Sequence, residues 1–174
     1  TVAAHVPSNP ATFGASRLLL AAFAGPWPGA VPITDDGTGA ALATLVRNAA
    51  VGEVVDSFDP GPAAVWDDAN ALTVRLYNGH LASAEESAVL AGANHLALQA
   101  DSGEWEVVGF ANAALTAPST YRLTHLLRGQ GGSGYAIGTV AAGNRVLALD
   151  QAVAAQPVAA DWLGETLSLR AYAG

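Results

Sequence analysis

Gly103–Gly134, GEWEVVGFANAALTAPSTYRLTHLLRGQGGSG, reads as two strands joined by a short polar turn and closed by a glycine-rich corner. From Glu104 to Phe110, Trp105 and Val107 share one side and Glu104 and Glu106 the other, the alternation of a half-buried strand. Ala117-Pro118-Ser119-Thr120 interrupts it. Tyr121 to Arg128 then resumes a period of two, which puts Tyr121, Leu123, His125 and Leu127 on one face. Gly129, Gly131, Gly132 and Gly134 end the run, where backbone without a Cβ takes positive φ readily.

Outward from this hairpin the same grammar repeats. Leu72-Thr73-Val74-Arg75-Leu76 alternates and stops at Asn78-Gly79. Arg17–Phe23, Ala30–Thr34, Ala40–Arg47, Val51–Phe58, Asn94–Ala100, Arg145–Leu149 and Thr166–Tyr172 are further strand candidates, and Asp35-Asp36-Gly37 is a hairpin-type turn. Ala and Leu over 40–50 also fit a helix, but the hairpin-like neighbours favour strands. One helix is predicted over about 83–92, with Ser83 as N-cap, Glu86 completing a capping box and Gly92 beyond the C-terminus. Ala159–Leu163 is read as a helical turn. The sum is a mainly β chain: a short-stranded antiparallel sandwich or open barrel with one short helix. Residues 1–16 read as a linker or edge segment, 17–62 as hairpins ending at the break Asp59-Pro60-Gly61-Pro62, and 63–174 as a β-rich domain.

Composition narrows function. Hydrophobic residues make up 51% and charged residues 13%, so a packed core is expected rather than disorder. All seven basic residues are arginines, scattered at 17, 47, 75, 122, 128, 145 and 170, and the net charge is −8. That balance argues against specific nucleic-acid binding, which needs clustered cations. Without lysine there is no P-loop lysine or Schiff base, and without cysteine no disulfide or thiolate metal site. No apolar run approaches the roughly 18 residues of a spanning helix, so no stable membrane insertion is expected. The chain starts at Thr1 and holds no methionine, which reads as a segment of a longer protein.

Candidate motifs meet plain structural readings. Gly129-Gln130-Gly131-Gly132-Ser133-Gly134 spells G-x-G-x-x-G, with Asp150 about twenty residues on. The dinucleotide fingerprint needs a helix opening at its third glycine. Here Gly138 and Gly143 follow, so a structural corner is predicted, with no cofactor. Within it, Arg128 is placed at a strand end to grip carbonyls or a carboxylate in planar fashion. Glu104 and Glu106 read as a solvated face, and Asp35/Asp36 and Asp67/Asp68 as turn residues. His5, His80, His95 and His125 show no ligand spacing, and no metal or catalytic residue is assigned. His125 is expected to sit half-buried beside a hydrogen-bond partner. Trp27, Trp66, Trp105 and Trp162 are candidate core or interface anchors.

The wording of several stretches resembles a known family. These are Asn70-Ala-Leu-Thr-Val-Arg-Leu76, Leu81-Ala-Ser-Ala-Glu-Glu86, Leu90-Ala-Gly-Ala-Asn94, Gly103-Glu-Trp-Glu-Val-Val108, Tyr121-Arg-Leu123 and Leu126-Leu-Arg-Gly-Gln-Gly-Gly132. Together they resemble the C-terminal hub region of the megatron-type baseplate hub tail proteins of gene transfer agents and related siphophages. Ser133 stands where that family usually has threonine, which keeps the hydroxyl. The resemblance implies a structural, non-enzymatic virion component at the tail tip. It also implies homotrimeric rings that continue the tail tube, bound to the distal tail protein and to fibre or peptidase components. In such a ring a negatively charged, lysine-free wall would let DNA pass without sticking. A carbohydrate-binding β-sandwich of a surface or adhesion protein, using exposed tryptophans, is the alternative.

Overall fold

The computed structural model describes residues 2–6, 17–158, 162 and 168–172. Two compact units emerge: Ala50–Asp150, and Thr1–Ala49 together with Gln151–Gly174. The expected boundary at Asp59–Pro62 is therefore not where the chain divides, and 63–174 is not one domain. The reason is local. The Asp59 carbonyl accepts from Arg128 Nη1, and Gly61 packs against Asp67 and Arg128, so the proline-rich break is stitched into the larger unit. Residues beyond Gln151 return to the smaller unit by strand pairing. No helix among the described residues is long and apolar enough to cross a membrane.

The larger unit is a six-stranded antiparallel barrel. Its strands are β5 (Val51–Val54), β7 (Leu72–Leu76), β8 (His95–Gln99), β9 (Trp105–Ala117), β10 (Thr120–Leu127) and β11 (Arg145–Ala148). They run in the order β10-β7-β5-β11-β8-β9, and β9 pairs with β10 to close the ring. A short β6 (Trp66–Asp67) adds to β10 through Leu127↔Trp66 and Leu126↔Asp67. The mainly β expectation holds, and closure explains how short strands avoid exposed edges. Inside lie Val54, Leu72, Val74, Leu96, Leu98, Val108, Phe110, Leu123, Leu126 and Val146, all essentially inaccessible. Each such side chain contributes about 1.5–3 kcal/mol relative to exposure. In β7 the alternation is as read, with Leu72, Val74 and Leu76 inside and Arg75 outside.

Two local expectations fail for physical reasons. His125 has φ +56, so the backbone turns over within β10 and Leu126, not His125, takes the next core place after Leu123. The helix, α1, is only Glu86–Leu90, with Glu85 at its N-cap and no side-chain cap. Ser83 does not cap it, because its Oγ accepts the Ala113 N–H of β9 at 3.0 Å. Gly92, at φ +101, does follow the helix end as expected.

The smaller unit contains two three-stranded sheets. One is β1 (Val2–Val6), β2 (Arg17–Ala21) and β12 (Ala154–Pro157), in the order β1-β2-β12. The other is β3 (Val31–Asp35), β4 (Ala41–Leu45) and β13 (Leu169–Ala171), in the order β13-β3-β4. Leu18 and Leu20 of the first share a cluster with Val31, Ile33 and Leu45 of the second, and Trp27 packs against it. Within 40–50, Ala41–Leu45 forms strand and no helix is present, as read, though the strand stops short of Arg47. The expected linker over 7–16 and the helical turn over 159–163, Trp162 excepted, fall outside the described residues.

The tightest point in the barrel is Gly52 on β5. A Cβ there would lie 2.1 Å from the Arg75 carbonyl oxygen of β7, so only glycine allows these backbones to approach. Gly52→Ala is expected to lower stability by about 1–3 kcal/mol in chemical denaturation. Gly138→Ala, whose Cβ would find ordinary 3.8 Å contacts, is expected to leave the midpoint unchanged.

Candidate functional site

The glycine-rich corner is built around one buried ion pair. Arg128 directly follows the last residue of β10, and its Nε and Nη2 donate to Glu106 Oε1 and Oε2 at 2.5 and 2.6 Å. Both side chains are fully inaccessible. Gly129 N–H adds a bond to Glu106 Oε1 at 3.2 Å, and Arg128 Nη1 donates to the Asp59 carbonyl at 3.1 Å. The guanidinium also lies 4.2 Å from the centre of the Phe58 ring. Removing two charges from water costs several kcal/mol each, which only such bidentate geometry with further bonds offsets. Asp67 sits beside the pair, itself buried. Burial pushes its carboxyl up, but bonds from Asn70 and Ala69 and the Arg128 charge leave it below the ordinary value.

Glu106 is thus not on a solvated face with Glu104, as the alternation suggested. The signal was present: Glu106 stands between Trp105 and Val107-Val108, and Arg128 required a planar anionic partner.

The corner itself locks this arrangement. Gly129, Gly131 and Gly132 have φ of +66, +62 and +86, and Gln130–Ala136 forms a 3₁₀ segment. A Cβ on Gly129 would lie 2.9 Å from Gly134 Cα, so the residue is glycine for space as well as for φ. Ser133 Oγ donates to the Gln130 carbonyl and accepts the Val107 N–H, tying the corner to β9. No α-helix opens at Gly134, and Ile137 is extended, so the geometry of a pyrophosphate loop is not assembled.

A second cluster surrounds His125. Its ring stacks on Trp66 at 4.2 Å and 5°. Nδ1 faces Asp68 Oδ1 at 2.5 Å, and Nε2 faces Glu86 Oε1 of α1 at 3.0 Å. Strand alternation over Trp66-Asp67-Asp68 explains the division of labour, since Asp67 points to Arg128 and Asp68 to His125. The Asp68 hydrogen bond raises the His125 pKa, against its partial burial, and Glu86 adds to the rise. A hollow beside it is lined by Ser83, Ala84, Glu85, Glu86, Ala111, Asn112 and His125. Both imidazole nitrogens are engaged by carboxylates, so the cluster holds a charge rather than offering a free base. Among the described residues no group of acids and histidines has metal-binding geometry.

His95 is its opposite. Burial lowers its pKa, a bond to the Val89 backbone opposes the shift, and Nε2 has no partner among the described residues. Of the tryptophans, Trp105 is buried, Trp66 is covered by His125, and Trp27 and Trp162 are half-buried.

Two predictions follow from this geometry. Arg128→Met strands the buried Glu106 carboxylate and should cost about 3–5 kcal/mol, while Glu106→Leu combined with Arg128→Met should recover much of it; urea denaturation of the three proteins measures both. The second concerns pH. His125, raised above 6.5, contributes stability fully present below that value and lost as pH rises through its folded value. His95, lowered from 6.5, contributes stability present above that value and lost as pH falls through its folded value. His125→Gln should therefore cost most on the acid side, and His95→Gln should flatten the acid limb. Stability measured on both sides of 6.5 checks the two signs.

A family model described as Rcc01698-like, C-terminal, matches residues 49–147. That span coincides with the barrel unit, Ala50–Asp150. No curated protein matches the chain.

Proposed function

Because the chain belongs to the Rcc01698-like C-terminal family, which is associated with gene transfer agents, we propose that it is a structural domain of the baseplate hub of a phage-like tail. The observation that carries this reading is the match over the whole barrel. It agrees with the wording of Gly103–Gly132, which resembles hub proteins of gene transfer agents and siphophages. In this role copies of the chain, three to a ring, continue the tail tube. The ring bears the distal tail protein and the fibre or peptidase components at the tail tip, and DNA passes through its lumen. The domain does no chemistry of its own; its barrel resists mechanical load.

The physical features fit that role. The cluster that ties β9, β10 and the Asp59 segment together is spent on architecture, with each guanidinium nitrogen of Arg128 and both carboxylate oxygens of Glu106 already bonded. A carbohydrate-binding module draws less support, because sugar platforms need open indole faces, Trp105 is buried, and one face of Trp66 is taken by His125.

Purified particles from the source organism provide the test. Mass spectrometry of tail fractions should find this sequence in a tail-tip polypeptide, and deleting its gene should give particles without complete tips. Complete, infective or transducing tails from the deletion strain would sink the reading.

A further inference from the structure

The segment that carries α1 is tethered to the barrel at its two ends. Ala84 N–H donates to the Ala111 carbonyl of β9 at 2.8 Å, and Asn94 Nδ2 donates to the Ala82 carbonyl at 2.7 Å. Between the tethers, over 85–93, only Val89 is buried. Five residues of helix without a side-chain cap have little stability alone, so contact with the barrel decides whether α1 stays seated. A histidine stands on each side of that contact.

His125 acts from outside, between Asp68 and Glu86, with its ring on Trp66. Glu85 lines the same hollow, β9 brings only the uncharged Ala111 and Asn112, and Asp67 is turned to Arg128. The number of protons decides what this bridge can do. An imidazolium has two N–H groups and donates to both carboxylates. A neutral imidazole has one, and the 2.5 Å contact with Asp68 keeps it on Nδ1. Nε2 then turns a lone pair toward Glu86 Oε1 at 3.0 Å, and attraction becomes repulsion.

His95 acts from beneath. Its Nε2 and the Val89 Cγ1 converge on Gly109, where a Cβ would lie 3.2 and 2.9 Å from them. That nitrogen has no hydrogen-bond partner among the described residues. An imidazolium there would hold its charge under an apolar side chain with one N–H unpaired. His80 and Asp150 are the titratable groups that line a hollow with it.

We infer that α1 is a proton-operated flap: protonated His125 latches it from outside, neutral His95 lets it seat, and loss of the first proton or gain of the second lifts it. Lifting bares Val89 and the His95–Gly109 surface beneath. The two signs set a window. The latch of His125, whose pKa is raised, is present below 6.5 and lost as pH rises through its folded value. The seat of His95, whose pKa is lowered, is present above 6.5 and lost as pH falls through its folded value. Seating is therefore firmest between the two and weakens on both sides.

Amide exchange of the 174-residue chain tests it, read residue by residue over a pH series and divided by the intrinsic rates. The amides of Ala88, Val89, Ala91, Gly92 and Ala93, bonded within the flap, should be far less protected than those of β7 and β11, because α1 opens by itself. Their protection should fall about fivefold, the worth of one exposed charge pair, as pH rises through the titration of His125. Glu86→Gln should abolish that fall, since the Gln amide donates to the lone pair of neutral Nε2. His95→Gln should abolish the fall on the acid side. Protection that stays flat through the His125 titration, falls equally in Glu86→Gln, or matches the barrel throughout overturns the flap. An acid-side fall that persists in His95→Gln overturns the part given to His95.

Discussion

The bidentate pair of Glu106 and Arg128 is the constraint on which the barrel depends. It lies at the base of the β9–β10 hairpin, the pairing that closes the ring of strands. Apolar alternation alone would tolerate a slip of two residues, since period-two side chains return to the same face. A buried carboxylate and guanidinium do not tolerate it, because any other register leaves two uncompensated charges in the core. The pair therefore supplies the register condition that hydrophobicity lacks. It also recruits its surroundings: the Asp59 carbonyl, Gly129 N–H and the Phe58 ring all contact it. That is why a proline-rich segment that reads as a boundary is held inside the unit.

Much of this was legible in the residues. Alternation located most of the strands, and the glycines at 129, 131 and 132 announced a left-handed corner. The demand of Arg128 for a planar partner could be stated from its position at a strand end. What failed were choices between two equally good local patterns. Glu106 looked solvated because Glu104 shares its parity, yet a barrel strand can be buried on both faces where a 3₁₀ segment packs outside it. Ser83 had the spacing of an N-cap, but a hydroxyl donates and accepts wherever an unpaired N–H lies closer, and Ala113 supplied one. The positive φ at His125 has no sequence signature at all, and it shifts the face of every residue after it.

The two well-packed histidines show how one small helix is held by contrasting electrostatics. His125 approaches α1 through Glu86 as a charged group between two carboxylates. His95 lies under the same helix as a neutral group, near Val89 and against Gly109, where a Cβ would be 3.2 Å from its Nε2. A helix of five residues has little stability of its own, so its place is set by these contacts and by the buried Val89. The missing cap is then unsurprising, because tertiary contacts do the work that capping does in a longer helix.

Closure is the solution this barrel adopts for its strand edges, and it accounts for the length of β9. Trp105–Gly109 pair with β8 and Gly109–Ala117 pair with β10, so one strand of 13 residues serves its two neighbours in succession. A strand that ended at Gly109 would leave β10 without this partner and the ring open. At the far end, Ala114–Ala117 have no described strand on their other side, and there a register shift between Leu115 and Ala117, followed by Pro118, blunts the edge that closure leaves.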